Sequence, residues 1–216
     1  MSRWVKVVFS LVLAAYTLVA VAQDDGLENG ILEIQHEWAR IHYQLPEADQ
    51  DKAFVKLEEQ AAGLEKTYPN RAEPKVWRAI VLSTHAGVSG GLGALSKVKS
   101  ARDLLLEAEA IDANALDGSV YTSLGSLYYQ VPGWPIGFGD DEKAEAMLKK
   151  ALTINPDGID PNYFYGDFLQ RQGRAPEALV VLEKALQAPA RPNRQDADAG
   201  RRHEIEMLIF KINSKS

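Results

Sequence analysis

Cysteine is absent from all 216 residues. That removes disulfide scaffolds, thiolate zinc sites, thiol nucleophiles and CxxC redox chemistry from consideration. Basic residues are not in excess: formal charge is −6 and the pI is near 5.3, so a broad nucleic-acid surface is not expected. Long apolar runs are confined to the first 22 residues, and β-branched clusters are few after them. Catalytic signatures are equally scarce. The histidines His36, His42, His85 and His203 form no HExxH pair, and Ser89, Ser96 and Ser119 sit in no G-x-S-x-G elbow. The carboxylate pairs Asp24/Asp25 and Asp157/Asp160 have ordinary tail and turn roles. A non-enzymatic protein without cofactor or metal is therefore expected.

What is present begins with an address. Arg3 and Lys6 precede an apolar run from Val7 to Ala22, and Ala20-Val21-Ala22 forms an A-x-A site before Gln23. This is the layout of a cleaved secretory signal peptide, 1–22, and its short basic region points to a bacterial periplasm. The run is too short and too interrupted, by Ser10 and Thr17, for a stable transmembrane anchor. With no cysteine after the site, a lipid-anchored form is not expected. Loss of Arg3 and Lys6 shifts the formal charge from −6 to −8.

Residues 23–216 read as one all-α domain with an internal repeat. Tyr121-x2-Leu124-Gly125-x2-Tyr128 is followed by Ala144-x3-Leu148-x2-Ala151-x4-Pro156. Asn162-x2-Tyr165-Gly166-x2-Leu169 is followed by Ala178-x3-Leu182-x2-Ala185, and Trp77-x2-Ile80-Val81-x2-Thr84 by Ala101-x3-Leu105-x2-Ala108. Ala144 and Ala178 are 34 residues apart, the period of tetratricopeptide repeats. The spacing has a physical cause: a small residue on the first helix lets the second approach closely, while large residues fill the space around the contact. The expected fold is a tetratricopeptide-type solenoid of three to four helix pairs. Its units fall at about 30–70, 74–113, 118–156 and 160–190, with a C-terminal capping helix at 195–213.

Individuality lies between paired helices. The gap from the small first-helix residue to the second-helix alanine is 12 residues in the last unit, but 19 and 20 in the two before it. The first insertion, 85–95, is glycine-rich yet lacks the G-K-[ST] ending of a phosphate loop and follows a helix, so a flexible packed loop is expected. The second, Gln130 to Asp140, carries Trp134 and Phe138, which either pack on their own helices or line a ligand or partner surface. Asp140 and Asp141 suit the N-cap and first turn of the next helix.

The strings PGWPIGFGD (132–140) and YFYGDFL (163–169) resemble exported bacterial tetratricopeptide proteins. They are similar to the TRAP-transporter-associated T component, over roughly residues 75–190. The resemblance implies a helical periplasmic fold with a cavity or pore for an apolar or organic-acid ligand. It also implies association with a substrate-binding subunit of the transporter. Two functions are expected: an adaptor binding another periplasmic protein or peptide, or a small-ligand accessory with an aromatic cavity near the PGWPIGFG loop. Stepping along the first helices gives the candidate concave face: Arg78, His85, Thr122, Ser126, Tyr129, Tyr163, Asp167 and Gln170, with Trp134 and Phe138 on the loop. Residues 23–75 hold 12 acids and 6 bases while 184–216 hold 7 bases and 4 acids, which would also suit homo-oligomerisation.

Overall fold

A computed structural model describes residues 25–214. The signal segment expected at 1–22 lies outside them. The described residues form helices α1 (25–44), α2 (Glu47–Thr67), α3 (Ala72–Ser89), α4 (Gly91–Ile111), α5 (Ala115–Gln130), α6 (Asp141–Ile154), α7 (Ile159–Arg171), α8 (Ala175–Leu186) and α9 (Gln195–Asn213). The pairs α3/α4, α5/α6 and α7/α8 pack as antiparallel hairpins, and α3, α5, α7 and α9 lie successively against one another. This is a tetratricopeptide-type all-α solenoid.

The repeat positions are those that mesh. A methyl group on Gly125 would stand 2.6 Å from Leu148 Cγ, and one on Gly166 would stand 2.6 Å from Leu182 Cγ. Ala144, Leu148, Ala151, Ala178, Leu182 and Ala185 are all fully buried. Helix ends follow local chemistry. Asp140 caps α6, its carboxylate accepting from the Lys143 N–H at 3.0 Å. Asn155-Pro156 ends it, and Pro176 lies in the first turn of α8. At α5 the residues Leu116, Asp117 and Gly118 have φ of 51°, 55° and 77°, so regular helix starts at Ser119.

The two insertions take different forms. The segment 85–95 is not a flexible loop: α3 runs on to Ser89, α4 starts at Gly91, and Gly90 alone links them. Gly90 and Gly91, at φ of 58° and 67°, reverse the chain in a left-handed conformation that glycine adopts without steric cost. The surplus residues therefore lengthen both helices. The segment 131–140 remains non-helical because Pro132 and Pro135 cannot donate in a helix. Its backbone is pinned by Gly139 N–H to Pro132 O at 3.0 Å and Asp140 N–H to Tyr128 O at 2.8 Å. The Trp134–Pro135 peptide is cis.

Helix α9 does more than cover the end of the stack. Ile205, Leu208 and Ile212 join the core of α7 and α8. Its first turn, through Ala197, joins the core of α1, α2 and α3. Gly200 lies against the Tyr43 ring, and Tyr43 donates to Glu204 Oε2 at 3.3 Å. Arg202 donates to the carbonyls of Leu186 and Ala188, which tie off α8. The superhelix thus closes on itself, and the concave side holds a cavity instead of an open groove.

Candidate functional site

The cavity measures about 130 Å³ and is surrounded by the inner helices. Helix α1 contributes Trp38 and Tyr43, and α3 contributes Trp77, Ile80, Ser83 and Thr84. Helix α5 presents Ser119, Thr122, Ser123 and Ser126, a row of small hydroxyl residues on one side. Asp160 and Phe164 come from α7, Arg191 and Arg194 from the connection 187–194, and Ala197 and Arg201 from α9. A second cavity of about 210 Å³ shares Trp77, Ser119, Thr122, Asp160, Arg191 and Arg194 as walls.

An ion network builds one wall. Asp160 accepts from Arg201 Nε at 2.9 Å and from Arg191 Nη1 at 2.6 Å. Arg191 also reaches Asp198 Oδ1 at 2.6 Å, and Arg201 reaches Glu204 Oε2 at 2.6 Å. Burial alone would raise the Asp160 pKa, but the Arg201 and Arg191 guanidinia outweigh it and hold the carboxyl well below the usual range. Glu204 is lowered the same way: burial opposes ionisation, and Arg201 with His42 overcomes it. Arg201 lies over the rings of Tyr163 and Phe164, 4.3 and 4.8 Å from their centroids.

Arg194 differs from its neighbours. Among the described residues no carboxylate lies within ion-pair distance of it, and its Nε is buried without a partner. It stands 5.1 Å over the Trp77 ring. Burial, then repulsion from Arg191, pushes its pKa down to about 10. The indole Nε1 of Trp77 is likewise buried with no acceptor, and so is His42 Nδ1. These groups belong to one aromatic corner: His42 stacks on Trp38 at 5.0 Å, and Trp38 meets Trp77 edge-on at 6.3 Å.

Of the residues expected from sequence, Thr122 and Ser126 line the cavity, and Tyr163 supports it through Arg201. Tyr129 and Asp167 meet each other, the phenol donating to Oδ2 at 2.8 Å, with Arg171 Nε 3.1 Å from the same oxygen. Burial raises the Tyr129 pKa. Gln170 is half-buried on α7. Arg78 pairs with Glu65 at 2.6 Å. His85 is buried between Glu58 and Asp51, at 2.6 and 2.9 Å, with Phe54 stacked on it. Phe138 packs inward, edge-on to Tyr128 and under Arg102, whereas Trp134 is 90% exposed and Ile136 66%. The aromatic cavity expected beside this loop is instead at the centre of the array, with neither Trp134 nor Phe138 among its walls. Trp38, Trp77, Arg191, Arg194 and Arg201 escaped the sequence reading. Trp77 occupies the repeat's packing position, and the three arginines fall in a proline-broken connection and a presumed cap. The local basic excess after residue 184 was their one signal.

The family model described as tetratricopeptide repeat matches residues 136–198. This covers the end of the 131–140 loop, α6, α7, α8 and the start of α9. No curated protein matches the chain. Residues 136–198 are thus similar to a tetratricopeptide repeat, in keeping with the helix pairs α5/α6 and α7/α8.

Proposed function

We propose that this is an exported, periplasmic, non-enzymatic adaptor that holds a protein partner through the outward loop 131–140. The observation that carries the reading is Trp134, 90% exposed on a loop whose ends are fixed by backbone hydrogen bonds. A large rigid aromatic displayed in water gains most from burial in a partner's pocket, and such residues dominate interface energetics. Ile136 beside it extends the apolar tip. With α9 packed on α7 and α8 and reaching α1, the exposed tip of this loop offers more reach than the enclosed inner side.

Placing a photo-reactive amino acid at Trp134 and cross-linking in cells is the test. A discrete cross-linked protein, lost in the Ile136→Asp variant, supports the reading. Absence of any cross-link at Trp134, with one forming from an α9 control position, overturns it. A substrate-binding subunit of a TRAP-type transporter as the captured protein would support the transport-accessory form of this role. Export itself is tested by N-terminal sequencing of the mature chain: Gln23 as first residue supports it, and Met1 overturns it.

A further inference from the structure

We infer that the outer face of α9 is a homodimer contact, in which two copies of this chain lay their α9 helices side by side and parallel. Met207 and Phe210 form the seam, and Glu206 of each copy faces Lys211 of the other. This surface is distinct from the loop 131–140 and from the enclosed inner side, so it stands whether or not the loop binds a protein.

A helix that closes a stack needs a polar outer face, because no further unit covers it. Helix α1 follows that rule. Its exposed side chains include Glu28, Asn29, Glu33, His36, Arg40 and Gln44, and none is large and apolar. Helix α9 departs from it. Its inner side buries Ile205, Leu208 and Ile212 in the core of α7 and α8. On the other side Met207 is 54% exposed and Phe210 68%. Three positions apart, these two share one stripe of the helix. A helix that is apolar on two sides has a second surface to bury.

The charges beside the stripe say what covers it. Written as a heptad, Glu206, Met207, Phe210 and Lys211 take positions g, a, d and e. At about 100° per residue, Glu206 and Lys211 stand about 140° apart and flank the stripe on opposite sides. That is too far round the helix for them to meet each other. Both are exposed, and neither holds an ion pair among the described residues. A two-fold axis running along a parallel helix pair exchanges the two flanks, so g of one helix meets the following e of the other. Glu206 then faces Lys211 of the second copy, and the symmetry repeats the pair on the other side. An antiparallel pair keeps each flank on its own side, setting Glu206 beside Glu206 and Lys211 beside Lys211. The face is therefore complementary to itself in the parallel arrangement, as an isologous contact requires. The adjoining seam positions hold His203 and Ser214, both polar, so the apolar contact spans one heptad. Such a contact falls below the standard interface of about 1,200 Å² or more, and a dissociation constant on the order of 10–100 µM is expected.

The test is sedimentation velocity on the purified protein over a concentration series. A reversible monomer–dimer equilibrium is expected between about 1 µM and about 1 mM. Phe210→Asp should weaken it at least about 10-fold with unchanged circular dichroism, since the ring it removes is exposed. Lys211→Glu should weaken it too, and combining that change with Glu206→Lys should recover most of the loss. The absence of cysteine from the chain gives a direct reading of orientation. Met207→Cys should oxidise to a disulfide-linked dimer several-fold faster than Val180→Cys, a comparably exposed position on α8. The proposal is overturned if the protein stays monomeric up to about 1 mM, if its mass rises past the dimer, or if Phe210→Asp associates like the parent. It is also overturned if the charge exchange recovers nothing, or if Val180→Cys cross-links as fast as Met207→Cys. Trp134→Ala should leave the equilibrium unchanged; loss of association in that variant would assign the contact to the loop and overturn the α9 dimer. Cross-linking from Trp134 enters none of these readings, so the dimer and the adaptor role stand or fall separately.

Discussion

Arg194 carries a cost at the residue scale. Its half-buried guanidinium loses hydration that the contact with Trp77 and the more distant Asp160 and Asp198 only partly return. Replacing it with methionine keeps the volume and removes the charge. The protein should gain about 1 kcal/mol, seen as a higher urea midpoint at unchanged slope. A loss of stability instead would mean that the contact with Trp77 outweighs the desolvation. Asp160 shows the opposite logic. It is equally enclosed, but two guanidinia grip both of its oxygens, and its charge is held against burial.

At the scale of elements, the two insertions show how composition decides form. Residues 85–95 hold no proline, so the surplus extends the helices, and the pair Gly90-Gly91 suffices for the reversal. Residues 131–140 hold two prolines and three glycines, and the backbone closes on itself instead. In that loop Gly139 sits against the carbonyl of Val131, where a side chain would collide. Gly139→Ala should therefore destabilise the protein by about 1–3 kcal/mol, the usual range for overpacking. Trp134→Ala, by contrast, should stay within about 0.5 kcal/mol, because nothing rests on an exposed ring. Thermal unfolding of the two variants checks both values. The contrast separates the frame of the loop from the tip it displays.

Closure of the array is a property of the whole molecule. The contacts that shut it run through Glu204 and Asp160: Tyr43 and His42 from α1, Arg201 from α9, Arg191 from the connection. Both carboxylates have folded pKa values below their unfolded ones. Their stabilisation is therefore complete above the unfolded value near 4, and it is lost as pH falls through the lower folded values. Stability should be flat from about pH 7 to 5 and then decline steeply below about pH 4. Amide exchange should speed up in α9 and the end of α1 before it does in the α5/α6 pair. Exchange that rises uniformly across all helices on acidification would show that the closure is not the acid-sensitive part.

The sequence by itself determined the helices and their pairing. Gly125 and Gly166 opposite leucines, the alanines at fixed spacing, and the Asp140 cap are local features. Each acts within about 20 residues, where the 3.6-residue period and close helix approach leave few alternatives. The candidate site was legible only in part. Thr122 and Ser126 were found because they share a helix face with the repeat positions, but their partners come from distant segments. Trp38 meets Thr84, Tyr43 meets Glu204, and Arg191 meets Asp160, across separations of 46, 161 and 31 residues. How far a solenoid curves depends on small rotations summed over every unit, and no single spacing records that sum. Tertiary structure alone decided that α9 returns to α1, that the concave side becomes a cavity, and that Arg194 stands there over Trp77 while Arg191 and Arg201 hold the carboxylates directly.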